Sequence, residues 1–358
     1  MKKLISMVVC TLMLWSCTIP TFAAESNIDN DNIHSPAFCT DVISEIADST
    51  VMTVDAADQL DLENSFYLYN FNDEPVAIFY QLSPIGYAIY DYQRQTVLEY
   101  TTETNHPFYT NPNQRYYYEG VFCYYEAVEN GFRSLTTGKI KTVTDDYEFS
   151  SKDFYYNDDG HEQSNARASE KPVILANSTR LYDCNTTDNL SYFYPDLSQK
   201  DLDDCPGICG SLACSVLLAY YDDYHSDLGD FVDNWKKSSG SGVKNAYGKP
   251  LVKELVGYIE PRANGSVFLN PGVSSYLANR NINGRVQLGV LSVYQQTKKA
   301  IGDGSGDPII VGTTSHYSVG VGYKNISKKQ IYTNTGYGYH SWVNASTIIS
   351  TWTIHIDS

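Results

Sequence analysis

The sequence predicts an α+β protein built in two parts, and three observations carry that prediction. Net acidic charge is confined to the front, where residues 25–170 hold 26 acidic against 7 basic residues, whereas residues 171–358 hold 16 of each. The front shows short aromatic and β-branched runs between turn-type sequences. The back shows one clear amphipathic helix followed by a strand-rich tail.

The whole chain has 358 residues, 42 Asp+Glu and 25 Lys+Arg, for a formal charge of −17. That sign argues against a nucleic-acid partner and against an anionic membrane surface, because both are bound mainly through Lys and Arg. The length suggests about two domains, each able to bury a core. The 31 tyrosines are spread over both parts and predict surface or strand composition rather than a site.

Residues 1–24 have the layout of a secretory signal peptide: Lys2 and Lys3, an apolar run from Leu4 to Trp15, then Thr21-Phe22-Ala23-Ala24. The run is too short to span a membrane, and no later segment approaches the roughly 20 apolar residues a spanning helix needs. The mature chain is therefore expected to be exported, soluble and monomeric. Leu14-Trp15-Ser16-Cys17 loosely resembles a lipoprotein cleavage box with Cys17 as the anchor, but bulky Trp15 fits that poorly.

After the signal, a helix is expected around Thr40–Ala57. A small antiparallel sheet follows, from Phe66–Tyr69, Val76–Tyr80, Tyr87–Tyr90 and Val97-Leu98. Residues 157–171 contain no large apolar side chain and predict a linker, with Lys152, Arg167, Lys171 and Arg180 as nearby points for cutting. The expected division is thus an acidic domain over 25–156, a linker over 157–171 and a second domain over 172–358. In that second domain Leu212, Val216, Leu217 and Tyr220 mark one face of a helix from Gly210 to Tyr221. Helical patterns near Lys249–Glu260 and Gly272–Arg280 follow, and strands are expected at Ile309–Gly312, Tyr317–Tyr323, Gln330–Thr333 and Thr351–Ile356.

Removal of the signal leaves Cys39, Cys123, Cys184, Cys205, Cys209 and Cys214. These are too few for a disulfide scaffold; Cys184 with Cys205 is the preferred bridge, and Cys214 reads as an apolar filler within the helix. A zinc site from Cys205, Cys209 and Cys214 is disfavoured by their spacing, and no cofactor is expected.

Three features of the back half fit together chemically. Cys209-Gly210 opens the helix, where unpaired backbone N–H groups and the helix dipole favour a thiolate. Glycines on either side of Ile208-Cys209 would let a substrate backbone come close. His316 begins an alternating strand, and Asn334 ends the next one, 18 residues on, before the Thr335-Gly336-Tyr337-Gly338 turn. Adjacent antiparallel strands would place the Asn amide beside the imidazole, which it would orient for Cys209. Each residue has a plainer alternative: a structural or disulfide-bonded Cys209, a turn-forming Asn334, and Tyr337 and Trp342 as core aromatics rather than as a shield for the pair.

A Cys-Gly opening a helix that ends in Tyr220-Tyr221, then a strand histidine, then an Asn on the following strand, resembles the papain-like cysteine peptidases. The likeness is to their bacterial streptopain and C39-like branches. Pro75–Pro107, with GYAIYDYQRQTVLEYTTETNHPF, resembles the inhibitory propeptide of streptopain-type enzymes. The resemblance implies a papain-like α+β fold preceded by a small α+β pro-domain, with catalytic Cys209, His316 and Asn334. It also implies an oxyanion-hole glutamine ahead of the nucleophile. Gln199 is the upstream candidate, ten residues before Cys209. The C39-like spacing is shorter and fits Gln199 with Cys205 instead, so two registers stay open; the helix start and the Tyr-Tyr pair favour Cys209.

The expected function is a secreted cysteine peptidase made as a zymogen, acting on protein or peptide substrates and held off by its own propeptide. A cell-wall peptide hydrolase and an inactive binding protein on the same scaffold are the alternatives.

Overall fold

The computed structural model describes residues 33–47, 60–105, 114–136, 138–143, 170–176, 208–225, 236–237, 243–244, 251–259, 269–289, 292–314 and 316–356. The front contributes helix α1 (Pro36–Ala47) and strands β1 (Leu60–Tyr69), β2 (Pro75–Leu82), β3 (Tyr87–Asp91), β4 (Thr96–Thr101), β5 (Tyr116–Gly120), β6 (Cys123–Val128), β7 (Gly131–Ser134) and β8 (Ile140–Lys141). β9 (Glu170–Ile174) follows. The back contributes α2 (Cys209–Tyr224), the β10 (Lys236–Lys237) and β11 (Val243–Lys244) pair, α3 (Leu251–Val256), α4 (Leu269–Asn279), β12 (Gly284–Gly289) and α5 (Val293–Ile301). It ends with β13 (Ile309–Gly312), β14 (Tyr317–Asn325), β15 (Lys329–Asn334), β16 (His340–Asn344), a short 3-10 turn and β17 (Ser350–Ile356).

The expected papain-like α+β arrangement is not the observed fold. The described residues form one large mixed sheet of fifteen strands with few helices, ordered β12-β17-β13-β14-β15-β16-β4-β3-β2-β1-β5-β6-β7-β8, with β9 paired to β14. The two halves meet where β16 pairs with β4, Trp342 opposite Tyr100 and Val343 opposite Glu99. Local periodicity cannot encode this joint, because it pairs strands about 240 residues apart and its stabilisation is collected only after a long loop closes.

Both faces of the front sheet are covered, which is why β3 is buried along its whole length and its run reads as continuously apolar. On one face α1 sets Val42 and Ile46 against Ile78, Tyr80, Ala88, Tyr90, Val97 and Trp342. On the other, Phe79, Tyr87, Ile89 and Leu98 share a single core with Leu212, Val216 and Leu217 of α2. Helix α1 starts at Pro36, whose fixed φ suits the first helical position, four residues ahead of the expected start. The expected helix end, beyond residue 47, lies outside the described residues.

The tyrosines follow the strand alternative rather than the surface one. Tyr80, Tyr87, Tyr90, Tyr100, Tyr116, Tyr118 and Tyr124, all in strands, and Tyr276 are among the largest fully buried side chains. Two of their hydroxyls are matched by the segment at the start of α1: Tyr80 donates to the Ile33 carbonyl at 3.0 Å and Tyr90 to Asp41 at 2.9 Å. Beside the β4–β16 joint the buried Lys324 ammonium sits 5.1 Å from the Tyr100 ring centroid and 4.9 Å from that of Trp342. It donates to the Glu45 carbonyl at 3.2 Å.

Helix α2 is buried from Gly210 to Tyr221, more completely than one amphipathic face requires, because it lies between β13, β14 and α3. Leu217 is fully buried at its centre. Leu217→Ala is expected to cost about 2–5 kcal/mol, read as a lowered urea midpoint; a loss under about 1 kcal/mol would contradict this packing. The last two residues of the expected linker, Glu170 and Lys171, are strand, with Glu170 accepting from the Tyr294 hydroxyl at 2.7 Å and paired with Lys298. Among the described residues no helix is long and apolar enough to cross a membrane.

Candidate functional site

The site forms where the start of α2 meets the start of β14. Ile208 precedes the helix in αR geometry and supplies no side-chain cap to the first N–H groups of α2. The Cys209 sulfur faces three of the surrounding backbone N–H groups, those of Tyr317, Gly210 and Cys209 itself, which draw its pKa down. Burial is the larger influence and pushes the thiol up, so Cys209 is held protonated in this state. A Cβ on Gly210 would lie 2.9 Å from Leu269 and 3.4 Å from the Tyr317 ring, so this glycine serves the close approach of α2 to its neighbours.

His316 sits one residue before β14 in a tight turn. Its backbone N–H donates to the Thr313 hydroxyl oxygen at 3.0 Å, and its carbonyl accepts from the Thr313 N–H at 2.8 Å. The ring is buried, with Nε2 2.9 Å from the Thr335 carbonyl oxygen. A carbonyl can only accept, so Nε2 carries the proton and Nδ1 keeps its lone pair. Nδ1 lies 3.5 Å from the Tyr337 hydroxyl, and the Tyr337 ring stacks on the imidazole with centroids 5.2 Å apart. Burial pushes the His316 pKa down to about 4, while the Thr335 carbonyl pulls it upward. Among the described residues no hydrogen bond joins the Cys209 thiol to the His316 ring.

Asn334 is brought to the same place but in another role. It ends β15 opposite Val319, and its Oδ1 accepts from the Gly336 N–H at 3.1 Å. The group on the imidazole is therefore the Thr335 main-chain carbonyl and not the expected Asn334 amide. Two further bonds fix that carbonyl, the Thr335 hydroxyl donating to the Tyr339 carbonyl at 2.8 Å and the Tyr337 N–H to the Thr335 hydroxyl at 3.1 Å. Gly336 takes φ +85°, and a Cβ there would fall 2.8 Å from Leu212, so the turn needs glycine on both counts. Asn334 thus positions the turn that positions His316.

The front segment completes the enclosure. Phe122, at the tip of the β5–β6 hairpin, meets His316 edge-on with centroids 5.4 Å apart and interplanar angle 76°. It is buried and takes φ +65°, uncommon for a bulky side chain. Phe122 carries no signal at the level of sequence, since a single aromatic in a turn looks like any strand residue. Thr335 was equally hidden, because its backbone does the work.

Cys214 is buried within α2, its thiol pushed up chiefly by burial, consistent with an apolar filler. Gln199, Cys205 and Cys184 lie outside the described residues, as do Cys17 and residues 1–24. No family model, curated protein or solved structure matches the chain.

Proposed function

We propose that the chain is an exported cysteine peptidase made as a closed precursor, with Cys209 as nucleophile and His316 as its acid–base partner. The observation that carries the reading is the Cys209 sulfur at a helix start, facing the N–H of Tyr317, the residue that follows His316, whose Nδ1 lone pair is left unprotonated by the Thr335 contact. In the open enzyme His316 Nδ1 takes the thiol proton and Cys209 attacks the scissile carbonyl. The C–N bond breaks as His316 returns the proton to the leaving amine, which leaves a thioester. Water, deprotonated by His316, then hydrolyses that thioester and regenerates the thiol. The Cys209 N–H at the helix start is suited to the developing oxyanion, with Gln199 as the second donor by resemblance alone.

The closed precursor holds both groups in their neutral forms. Burial raises the thiol and lowers the imidazole, so neither partner carries the charge that a reactive thiolate–imidazolium pair requires. Opening the front segment admits water and reverses both shifts. The acidic front segment is on this account the inhibitor, and the activated enzyme from Glu170 onward carries a formal net charge of only −1.

The test is labelling of the activated protein with an epoxide of the E-64 kind, followed by peptide mapping, alongside hydrolysis of casein and of purified peptidoglycan. Labelled Cys209 with casein cleavage is expected. Peptidoglycan cleavage alone would reassign the substrate to wall peptides, and an unlabelled Cys209 would leave a binding protein on an inert scaffold.

A further inference from the structure

Glu99 is a buried carboxyl that the proposed chemistry does not use. It lies in β4, fully buried, opposite Ile89 of β3 and Val343 of β16. Its Oε1 accepts from the Tyr118 hydroxyl on β5 at 3.1 Å and from the Phe122 N–H at the hairpin tip at 3.2 Å. Its Oε2 accepts from the Tyr124 hydroxyl on β6 at 2.8 Å. The chain continues across the joint between the halves, with Tyr124 3.0 Å from the Tyr87 hydroxyl on β3 and Tyr87 3.1 Å from that of Tyr339 in the turn before β16.

The titratable groups facing Glu99 are therefore Tyr87, Tyr118, Tyr124 and Tyr339, and β16 presents Val343. Among the described residues no lysine or arginine acts on the carboxyl. An ionised Glu99 is a buried charge without a cation, which is costly even with three donors on it. A protonated Glu99 becomes a donor at one oxygen. The phenol hydroxyls can then rotate, so that Tyr124 accepts from Glu99 and donates onward to Tyr87, while the Phe122 N–H stays bound.

We propose that Glu99 and its tyrosine cluster form a proton-dependent latch, in which neutral Glu99 holds the β5–β6 tip, and with it Phe122, against His316, and ionised Glu99 releases the tip. This rests on the precursor reading above and adds the condition under which the precursor opens. Burial places the Glu99 pKa at about 8, against 4.5 for an ordinary glutamate. A pKa raised in the closed state favours closure fully below the ordinary value and loses that contribution as pH rises through about 8. Opening should therefore increase across that interval by up to about tenfold per pH unit, the limit for one coupled proton.

The test is hydrogen exchange of the segment covering residues 116–124 in full-length Cys209→Ala protein, which cannot process itself. Protection is expressed relative to the intrinsic exchange rate at each pH. Between pH 5.5 and 8 protection of this segment is expected to fall at least about tenfold, while residues 317–323 of β14 keep theirs. Adding Glu99→Gln should make the hairpin profile flat. A pH-independent profile in the parent overturns the latch without any Glu99 variant, and an unchanged fall in Glu99→Gln overturns it as well. A Glu99-dependent transition in a protein whose activated form leaves Cys209 unlabelled would instead retain the latch and remove the peptidase reading.

Discussion

Cys209→Ala is expected to abolish self-processing and to lower peptide hydrolysis by at least about a thousandfold, with the fold intact. The size follows from the role: Ser211, the hydroxyl in the same turn of α2, and Cys214, further along the helix, are both buried in the core and do not take its place. The substitution removes one partly buried sulfur and leaves a good helix former, so thermal unfolding should shift by only a few degrees. Hydrolysis retained within tenfold of wild type would move the nucleophile elsewhere, with Cys205, the other register open in the sequence, as the first place to look.

Phe122→Ala is expected to open the precursor. Truncating a buried phenylalanine typically costs about 3–5 kcal/mol, and its ring packs on His316 only while the hairpin is closed. If about 1.4 kcal/mol of that falls on the closing equilibrium, the open population rises about tenfold. The measurement is the rate at which a small alkylating reagent modifies Cys209 in the uncut precursor, read by peptide mapping. At least a tenfold faster rate than wild type is predicted. An equal rate would mean that the contact with His316 is ordinary packing and that inhibition is exerted elsewhere.

Much of the back half was legible because its signals are local. β13 begins and ends at the expected residues, and β14, β15 and β17 each contain the predicted run with one or two residues added. The start of α2 was readable from Cys209-Gly210 and the apolar spacing that follows. Helix α5 was missed although Val293, Tyr294, Thr297 and Ile301 are buried at helical spacing, because Gln295, Gln296, Lys298 and Lys299 dilute the pattern. β16 was missed for a different reason: His340-Ser341-Trp342-Val343-Asn344 carries polar residues inside a sheet buried on both sides. Without β16 there was no sign that the acidic segment and the back segment share one sheet, and two separate domains were the natural expectation.

Near His316 the structure places a different atom on the imidazole from the one the residue pattern suggested. Residue types identify side chains, so an Asn placed after a histidine strand suggested an amide acceptor. The ring is instead held by the Thr335 carbonyl, which any residue at that position would supply, and Asn334 is needed one step back to hold the Gly336 N–H. Phe122 and Glu99 were beyond reach because their meaning depends on the fold that brings the front hairpin onto His316.

The most direct test of the account is intact-mass spectrometry of the full-length protein after incubation in reducing buffer, wild type beside Cys209→Ala. Wild type is predicted to lose its acidic front by cleavage before Glu170, because Glu170–Ile174 is paired with β14, while Cys209→Ala stays uncut. Cleavage of both proteins at the same bond and the same rate would contradict the claim that Cys209 is the nucleophile of a self-processing peptidase.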